Sequence, residues 1–474
     1  MIKQFINRDV ELTFLETHII EPKPQLLIFY GRRRVGKTEL LVRFIKSRPD
    51  IPSIYFLAGR KRWDDNIHEL QLKMSEVIGD TLFSSVEFND YFELFKEFSN
   101  RFSGQIIIII DEFPYLHDPK KDIESIFQKI YDEVISNSEI YLILCGSSVS
   151  MMESLLGYKS PLYGRRTGQW LVEPLRFKDA CKFFARYDML NCIRSYAILG
   201  GIPFYLSMFN DNITLMENIK RTLLNKGSIL YKEPEFLLIE EVREPRNYFL
   251  ILKAISSGKT RFSEIMNVTG LDKSIISRYI DILHDLRIIR KSAPVTLKKQ
   301  NIRDMRYYLE DNLFKFWFKF IYPNEALIEY GQIDTVIQSI KSQLDTYIGP
   351  IFEDIAQQFI FENMDEFPFR FEKIGKWWHK ANEIDLVAFN EVSRKIIFIE
   401  CKWQNRKIGV DVLSKLMDKA KYVDWKNETR EDYFCIISKN GLTTNAVRFA
   451  MDNEIISFNI EDIERIQKKE FKGI

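Results

Sequence analysis

The first part of the chain alternates short apolar runs with helical stretches. Apolar runs occupy 26–29, 54–58, 106–110, 141–145 and 170–172, and helical stretches such as 63–78 separate most of them. Strands that are apolar without interruption are buried on both faces, which is typical of a parallel sheet covered by helices. The pattern therefore predicts an α/β sandwich for residues 1–174.

A pattern of short helical segments begins near Arg246. The segments are 248–256, 261–268 and 272–286, and the third has its apolar residues on one face. Two short apolar segments, 288–289 and 295–297, follow and form an apparent hairpin. This succession predicts a winged helix-turn-helix in which the hairpin is the wing.

The last third of the chain contains a second sheet pattern. Residues 383–387 and 396–403 read as strands, and the polar loop 390–395 joins them as in a β-hairpin. We expect a helix that begins near Pro350 to precede them. Because side chains in a strand alternate between faces, Glu400 and Lys402 lie on the same face.

Length and pattern together predict the domain organisation. The 474 residues are enough for roughly three domains by the usual size of about 150 residues. The predicted segments are an α/β core at 1–174, an all-α lid at 175–240, a winged helix at 241–310, an aromatic-rich linker at 311–349 and an α/β domain at 350–474. The density of aromatic residues after Arg306 favours packing between domains over base stacking.

Composition narrows the range of partners and locations. The chain has 68 basic and 67 acidic residues, so any polyanion must be bound by a local basic patch. The five cysteines show no C-x-x-C spacing, which argues against a zinc site and a disulfide framework. No apolar stretch approaches the ~18 residues of a membrane helix. We expect a cytoplasmic protein without membrane contact.

Residues 31–38 form a complete phosphate-loop motif, G-x-x-x-x-G-K-T, between an apolar run and a helical pattern. In such a loop the backbone N–H groups point at phosphates, Lys37 reaches the outer phosphates and Thr38 offers a hydroxyl to Mg²⁺. ATP and Mg²⁺ are therefore the expected cofactors. The expected nucleotide contacts are Gly31, Arg32, Arg33, Arg34, Val35, Gly36, Lys37, Thr38 and Glu39.

The acid pair Asp111-Glu112 ends the third apolar run, at the sheet edge where open α/β sheets bind ligands. We expect Asp111 to hold Mg²⁺ through water and Glu112 to orient and deprotonate the water that attacks the γ-phosphate. Ser147, after the fourth run, is a better candidate than Ser148 for sensing that phosphate.

Arg165 and Arg166 come just before the fifth apolar run. An arginine that neutralises the developing charge accelerates phosphoryl transfer, which makes Arg166 a catalytic candidate. A solvated turn is the alternative reading of this pair.

Basic residues mark the predicted winged helix as a DNA-binding element. The candidates are Lys273, Ser277 and Arg278 on the third helix, and Arg290, Lys291, Lys298 and Lys299 on the wing. The alternative is a winged helix that packs only within the protein, since the same helix carries Asp272, Asp281 and Asp285.

The first half resembles the archaeal P-loop ATPases of the STAND class. The resemblance rests on the start at 5–12, the phosphate loop with Tyr30, the acid-pair segment 111–115, the turn 146–148, and the segments 160–168 and 200–205. It implies that Arg8 and Pro203 lie near the nucleotide, with Pro203 in a helical lid. It also implies a switch that turns ATP over slowly.

Residues 350–474 resemble the PD-(D/E)XK nuclease superfamily through Asp385, Glu400 and Lys402. The resemblance implies a restriction-endonuclease-like fold in which Asp385 and Glu400 bind Mg²⁺, Lys402 positions the hydrolytic water, and Glu353 is a supporting ligand. The Pro-Asp of the superfamily name is Ile384-Asp385 here. A docking module for nucleic acid or protein is the alternative.

The sequence thus predicts an ATP-hydrolysing, DNA-associated protein with a Mg²⁺-dependent nuclease domain. The rival hypothesis is a signalling or assembly switch of the STAND class whose C-terminal domain binds a partner without cutting. Besides DNA, a second copy of the chain or a protein partner is expected to bind through the lid and the C-terminal domain. A small-molecule kinase fits less well, because the acid pair on a strand suits hydrolysis.

Overall fold

The computed structural model describes residues 5–20, 23–242, 244–297 and 304–470. The chain divides into two compact units. The first unit comprises Met1–Pro174 and Ile202–Phe204, and the second comprises Leu175–Gly201 and Tyr205–Ile474. Within the described ranges, no helix has the length and apolar character needed to cross a membrane.

The first unit is built on a five-stranded parallel sheet of order β2-β3-β4-β1-β5. The strands are β1 (Gln25–Tyr30), β2 (Ser53–Leu57), β3 (Ile106–Asp111), β4 (Ile140–Gly146) and β5 (Gly168–Leu171). The helices are α1 (Asp9–Ile19), α2 (Lys37–Lys46), α3 (Trp63–Ile78), α4 (Tyr91–Arg101), α5 (Ile123–Glu133) and α6 (Val149–Ser154). The predicted parallel α/β sandwich is confirmed.

Alternate residues of the central strand β3 belong to two different cores. Ile106, Ile108 and Ile110 pack in one apolar cluster, whereas Ile107 and Ile109 pack in another. All five are fully buried. This two-sided burial is the physical reason that the strand is apolar without interruption.

The second unit contains most of the helices. Helix α9 (Pro203–Leu206) includes residues assigned to both units. The other helices of the second unit are α7 (Phe177–Ala180), α8 (Met189–Leu199), α10 (Leu215–Thr222), α11 (Glu233–Glu241), α12 (Pro245–Ser256), α13 (Phe262–Thr269), α14 (Lys273–Asp285), α15 (Asn312–Phe316), α16 (Glu325–Glu329), α17 (Ile333–Glu362), α18 (Val410–Ala420), α19 (Thr444–Asp452) and α20 (Ile460–Glu470).

Helices α12 to α14 and a two-stranded sheet form the predicted winged helix, but the wing pairs differently from the prediction. Strand β6 (Ile289–Ser292) pairs antiparallel with β7 (Arg306–Leu309), and not with residues 295–297. Val295 instead donates its backbone N–H to the Lys376 carbonyl oxygen at 2.9 Å and packs against the C-terminal core. The apolar character that suggested a strand at 295–297 therefore reflects this packing.

The C-terminal part of the second unit is a mixed five-stranded sheet of order β12-β11-β10-β9-β8. Its strands are β8 (Lys373–His379), β9 (Asn382–Asn390), β10 (Lys395–Lys402), β11 (Glu431–Ser438) and β12 (Ile456–Phe458). The predicted hairpin is confirmed as the antiparallel pair of β9 and β10, and β10 continues into a parallel pair with β11.

The helix that was expected to begin near Pro350 begins at Ile333 instead, and Pro350 lies inside it. Proline is common in the first turn of a helix, which is why it suggested a start. Inside a helix it removes one backbone hydrogen bond and its ring crowds the carbonyl group four residues earlier. Burial of side chains along α17, including Leu344 and Phe352, offsets that loss.

The aromatic-rich segment packs inside the second unit. Trp317 is almost fully buried and donates from Nε1 to the Tyr231 carbonyl oxygen at 2.8 Å. Its ring lies 5.0 Å from Phe318 and 5.2 Å from Tyr322. The aromatic density of this segment therefore reflects packing, as the sequence favoured.

Candidate functional site

The phosphate loop joins β1 to α2 and depends on two glycines. A Cβ atom at Gly31 would lie 2.4 Å from the Val172 carbonyl oxygen, so no side chain fits there. Gly36 has a φ of 94° at the start of α2, a conformation that favours glycine. The loop is therefore held in a narrow turn directly before the N-terminus of a helix, which attracts anions.

Lys37 is buried in the first turn of α2 and folds back onto this loop. Its Nζ donates to the Gly31 carbonyl oxygen at 2.8 Å and to the Arg32 carbonyl oxygen at 3.1 Å. A buried ammonium held by two carbonyl oxygens is placed to exchange them for phosphate oxygens. The residues present therefore fit a nucleotide phosphate.

Asp111 at the end of β3 is the centre of a small polar network. Thr38 Oγ1 donates to Asp111 Oδ2 at 2.7 Å, and the Glu112 N–H donates to Asp111 Oδ1 at 2.9 Å. A hydroxyl and a carboxylate are hard oxygen ligands of the kind that Mg²⁺ prefers. The pair of Thr38 and Asp111 therefore fits the expected metal.

Tyr55 on β2 is a member of this network that the sequence prediction missed. Its hydroxyl donates to Asp111 Oδ2. Burial, followed by the charge of Asp111, raises the pKa of Tyr55, so its hydroxyl remains a donor. The only signal in the sequence was a tyrosine within a predicted strand next to β3.

Glu112 and Ser147 are brought together at the same edge of the sheet. Ser147 Oγ donates to Glu112 Oε2 at 2.8 Å, and the Ser147 N–H reaches the same oxygen at 3.2 Å. Glu112 has a φ of 54°, which is uncommon for a residue other than glycine. The backbone at the end of β3 thus turns the carboxylate of Glu112 toward the end of β4.

Arg8 and Pro203 both lie next to the phosphate loop. Arg8 is buried and donates to the Val35 carbonyl oxygen at 3.0 Å and to the Glu173 carbonyl oxygen at 2.8 Å. A Cβ atom at Gly36 would lie 4.0 Å from Pro203 Cγ. Arg8 thus contacts the loop and Pro203 lies beside it, as the resemblance implied.

The arginines of this unit have distinct surroundings. Arg166 donates to the Leu156 carbonyl oxygen at 2.9 Å and lies over the Tyr163 ring. Arg33, in the loop, donates to the Tyr115 hydroxyl at 2.7 Å, and Arg60 lies over the same ring at 4.6 Å. Tyr115 thus contacts both Arg33 of the phosphate loop and Arg60. The sequence prediction did not identify Arg60.

The predicted DNA-binding residues fall into two groups. On α14, Lys273 and Arg278 are exposed and Ser277 is half-buried. On the wing, Arg290 is paired with Asp354 at 2.6 Å and Lys291 with Asp281 at 2.5 Å. Lys298 and Lys299 lie outside the described residues. The wing cations that the structure describes are thus engaged with carboxylates.

Three of the predicted nuclease residues meet at the end of β10. Lys402 Nζ lies 2.6 Å from Glu400 Oε1 and 3.6 Å from Asp385 Oδ2. Asp385 also accepts from the Cys401 N–H at 2.8 Å. Lys419 on α18, which the sequence prediction missed, lies 3.2 Å from the other oxygen of Glu400.

Glu353 does not join the other two acids in a common metal-ligand cluster. It is paired with Lys376, and burial together with the charge of Asp385 raises the pKa of Glu353 to about 7. Within the part of the chain that the structure describes, no group of three or more His, Cys, Asp and Glu side chains has the arrangement of a metal site. Asp385, Glu400 and Lys402 thus lie together, whereas the role of Glu353 as a supporting ligand stays a prediction.

Fold and site together define a P-loop ATPase. A family model described as "ATPase domain predominantly from Archaea" matches residues 5–209. A model described as "Bacterial regulatory protein, arsR family", a helix-turn-helix, matches 249–291, and one described as "Archaea bacterial proteins of unknown function" matches 317–415.

The chain belongs to the family of the "Uncharacterized protein MJECL04" of Methanocaldococcus jannaschii. The two are 33% identical over 463 residues, which cover 97% of this chain and 99% of the relative. The "Uncharacterized ATP-binding protein MJ0423" of the same organism is 51% identical over 47 residues, or 10% of this chain and 80% of the relative. Among solved structures, the Walker-type ATPase of Pyrococcus abyssi shares 23% identity with a TM-score of 0.49, covering 66% of this chain and 96% of that one.

Proposed function

We propose that this ATPase couples Mg²⁺-dependent ATP hydrolysis to association with DNA. The observation that carries the proposal is the network at the end of β3, in which Thr38, Asp111, Glu112 and Ser147 are joined by hydrogen bonds beside the phosphate loop. The winged helix with exposed cations on α14 supports the DNA contact.

Each residue of the network has a distinct part in this mechanism. Lys37 would leave its carbonyl partners for the outer phosphates, and Thr38 with Asp111 would hold Mg²⁺, whose charge shields the phosphates when it is bound. Glu112 would take the proton of the attacking water. Ser147, which donates to Glu112 Oε2, would help to hold this carboxylate in position.

The surface of α14 is the part of the winged helix best suited to DNA. Lys273 and Arg278 are exposed on it, whereas Arg290 and Lys291 on the wing are already paired with acids. Exposed cations reach phosphates without first losing an ion pair. We therefore place the main DNA contact on α14, with Ser277 beside it.

A Mg²⁺-dependent nuclease of the PD-(D/E)XK type is a second proposal for the C-terminal domain. It is favoured by Lys402, which bridges Asp385 and Glu400. These two carboxylates offer oxygen ligands to a hard cation, which would activate a water when bound. Lys419, which also pairs with Glu400, would have to move away from this carboxylate.

One set of incubations tests both proposals. The purified chain is mixed with plasmid, single-stranded and branched DNA, with Mg²⁺ or Mn²⁺, and with or without ATP. Binding of DNA supports the first proposal, and cleavage that requires the metal supports the second. If DNA is neither bound nor cut under any condition, a signalling or assembly switch whose C-terminal domain docks a partner replaces both.

A further inference from the structure

A cavity of about 270 Å³ lies within the second unit. Its wall includes Arg290 and Tyr308 from the winged helix, Lys315 and Lys319 from the aromatic segment, Asp354 from α17, and Lys376 from β8. These six residues define the basic cavity. Residues that are distant in the sequence thus converge on one partly open cavity, whose wall also includes apolar residues such as Leu309 and Ile351.

The basic cavity carries an excess of positive charge. Arg290 and Lys315 share Asp354, at 2.6 and 3.6 Å, and Lys376 is paired with Glu353. The wall itself therefore holds four cations and one carboxylate, Asp354, and Glu353 contacts Lys376 from outside the wall. Glu310 and Asp311 act on Lys315 electrostatically but do not line the cavity, and Asp311 is engaged in capping α15 through the Phe314 N–H.

Lys315 is the residue with most to gain from an anion. Its side chain is only 17% exposed, and burial together with the charge of Arg290 lowers the pKa of Lys315 to about 8, against the opposing effect of Asp354. Burial of an ammonium is costly, and an anion in the cavity would offset that cost.

The size and the aromatic wall limit the kind of anion. Small-molecule sites typically occupy about 300–1,000 Å³, so this cavity suits a compact ligand. The Tyr308 ring has Arg290 at 5.6 Å and Lys376 at 5.7 Å from its centroid, within the range of a cation–π contact. An arginine fork beside lysine point charges is the combination that recognises phosphate.

We propose that the basic cavity binds a phosphomonoester, the dianionic phosphate of a mononucleotide that is either free or at the 5′ end of a DNA strand. The site shares no residue with the phosphate loop or with Asp385, Glu400 and Lys402, and it adjoins the predicted nuclease residues through the pair of Lys376 and Glu353. It also accounts for Arg290, a predicted DNA contact, facing a cavity within the protein.

Titration calorimetry with AMP and adenosine tests the proposal. The full chain carries Lys37→Ala, so that binding at the phosphate loop is suppressed, and the buffer lacks divalent metal. Added to this background, Lys315→Met removes the buried charge at similar length and Lys319→Gln removes an exposed charge of the wall. Lys341→Gln, an exposed lysine of α17 outside the cavity, is the matched control.

We expect AMP to bind and adenosine not to bind. Lys315→Met should weaken AMP binding at least about tenfold, the scale of one charge-assisted hydrogen bond, and Lys341→Gln should leave it unchanged. If a thermal melt shows that the Lys315→Met protein is not folded, AMP binding by the Lys319→Gln protein tests the site instead. Equal affinity in Lys319→Gln and the control, equal binding of adenosine and AMP, or no binding of any phosphate-bearing probe would overturn the site.

A pair of short oligodeoxynucleotides, one with a 5′-phosphate and one with a 5′-hydroxyl, identifies the source of the phosphate. Preference for the phosphorylated strand over AMP indicates a strand end, and binding of AMP alone indicates a free mononucleotide. Both results support the site. Because Asp385→Ala leaves the cavity wall intact, AMP binding should persist in that variant even where the nuclease proposal fails.

Discussion

At the scale of single residues, the proposed ATP site depends on side chains that contact one another or the phosphate loop. Lys37 is held by loop carbonyls, and Glu112 by Ser147. In the proposed mechanism, Lys37 exchanges its carbonyl partners for the phosphates, whereas Ser147 helps to hold Glu112 in position. Substitutions at these positions therefore separate binding from chemistry.

Lys37→Ala should abolish ATP binding, because it removes the cation of the phosphate loop. Glu112→Gln should keep binding and slow hydrolysis at least about 100-fold, the scale of losing a general base. Nucleotide binding by calorimetry and phosphate release measure the two effects. Equal turnover in wild type and Glu112→Gln would remove Glu112 from the mechanism.

Tyr55→Phe should lower the free energy of unfolding by about 1–3 kcal/mol, because a hydrogen bond to the buried carboxylate of Asp111 is lost. The measurement is urea denaturation followed by the intrinsic tryptophan fluorescence of the chain, to which Trp63 and Trp170 of the first unit contribute. Tyr163→Phe, at a half-exposed tyrosine of the same unit, is the control and should stay within about 0.5 kcal/mol of wild type. If Tyr55→Phe changes the free energy of unfolding as little as Tyr163→Phe does, the network does not need this hydroxyl.

At the scale of elements, helix α14 and the wing differ in what their cations can do. Lys273 and Arg278 face solvent, while Arg290 and Lys291 are paired with carboxylates. The helix, rather than the described part of the wing, should therefore dominate electrostatic contact with DNA.

The double variant Lys273→Glu and Arg278→Glu should weaken duplex binding and lower the slope of log affinity against log salt, by about one unit for each lost phosphate contact. Fluorescence anisotropy over a range of salt concentrations measures both. Lys341→Glu reverses an exposed charge on another helix and is the control. An unchanged slope in the double variant would favour a winged helix that packs only within the protein.

At the scale of the whole molecule, the residues proposed for the two activities lie in different units. The ATP site consists of residues of the first unit, whereas Asp385, Glu400 and Lys402 belong to the second. Loss of one activity should therefore leave the other measurable, which allows the nuclease proposal to be tested by itself.

Asp385→Ala, Glu400→Ala and Lys402→Ala should each stop metal-dependent DNA cleavage and leave ATP hydrolysis intact. Removing either carboxylate empties the coordination that activates the water. Gel analysis of plasmid cleavage and phosphate release measure the two activities, and Glu431→Ala, an exposed acid of β11, is the control. An Asp385→Ala protein that cuts as fast as wild type would contradict the assignment.

Features that depend on neighbouring residues were predictable from the sequence. Helix α3 covers the predicted 63–78, and the strands of the first sheet follow their apolar runs because both faces are buried. The phosphate loop is a motif of contiguous residues, and its strand and helix lie on either side of it. The hairpin of β9 and β10 was predictable because its short polar loop limits the pairing.

Only the tertiary structure decided which distant residues meet. Strand β6 pairs with β7 across a long connection, and Val295, which resembled a strand residue, packs on the C-terminal sheet. Asp111 is contacted by Tyr55, Glu400 by Lys419 and Arg290 by Asp354, and the two residues of each pair lie far apart in the chain. Sequence patterns record whether a position is buried or polar, but a hydrogen bond or an ion pair requires a particular partner, and only the packing of elements brings that partner within reach.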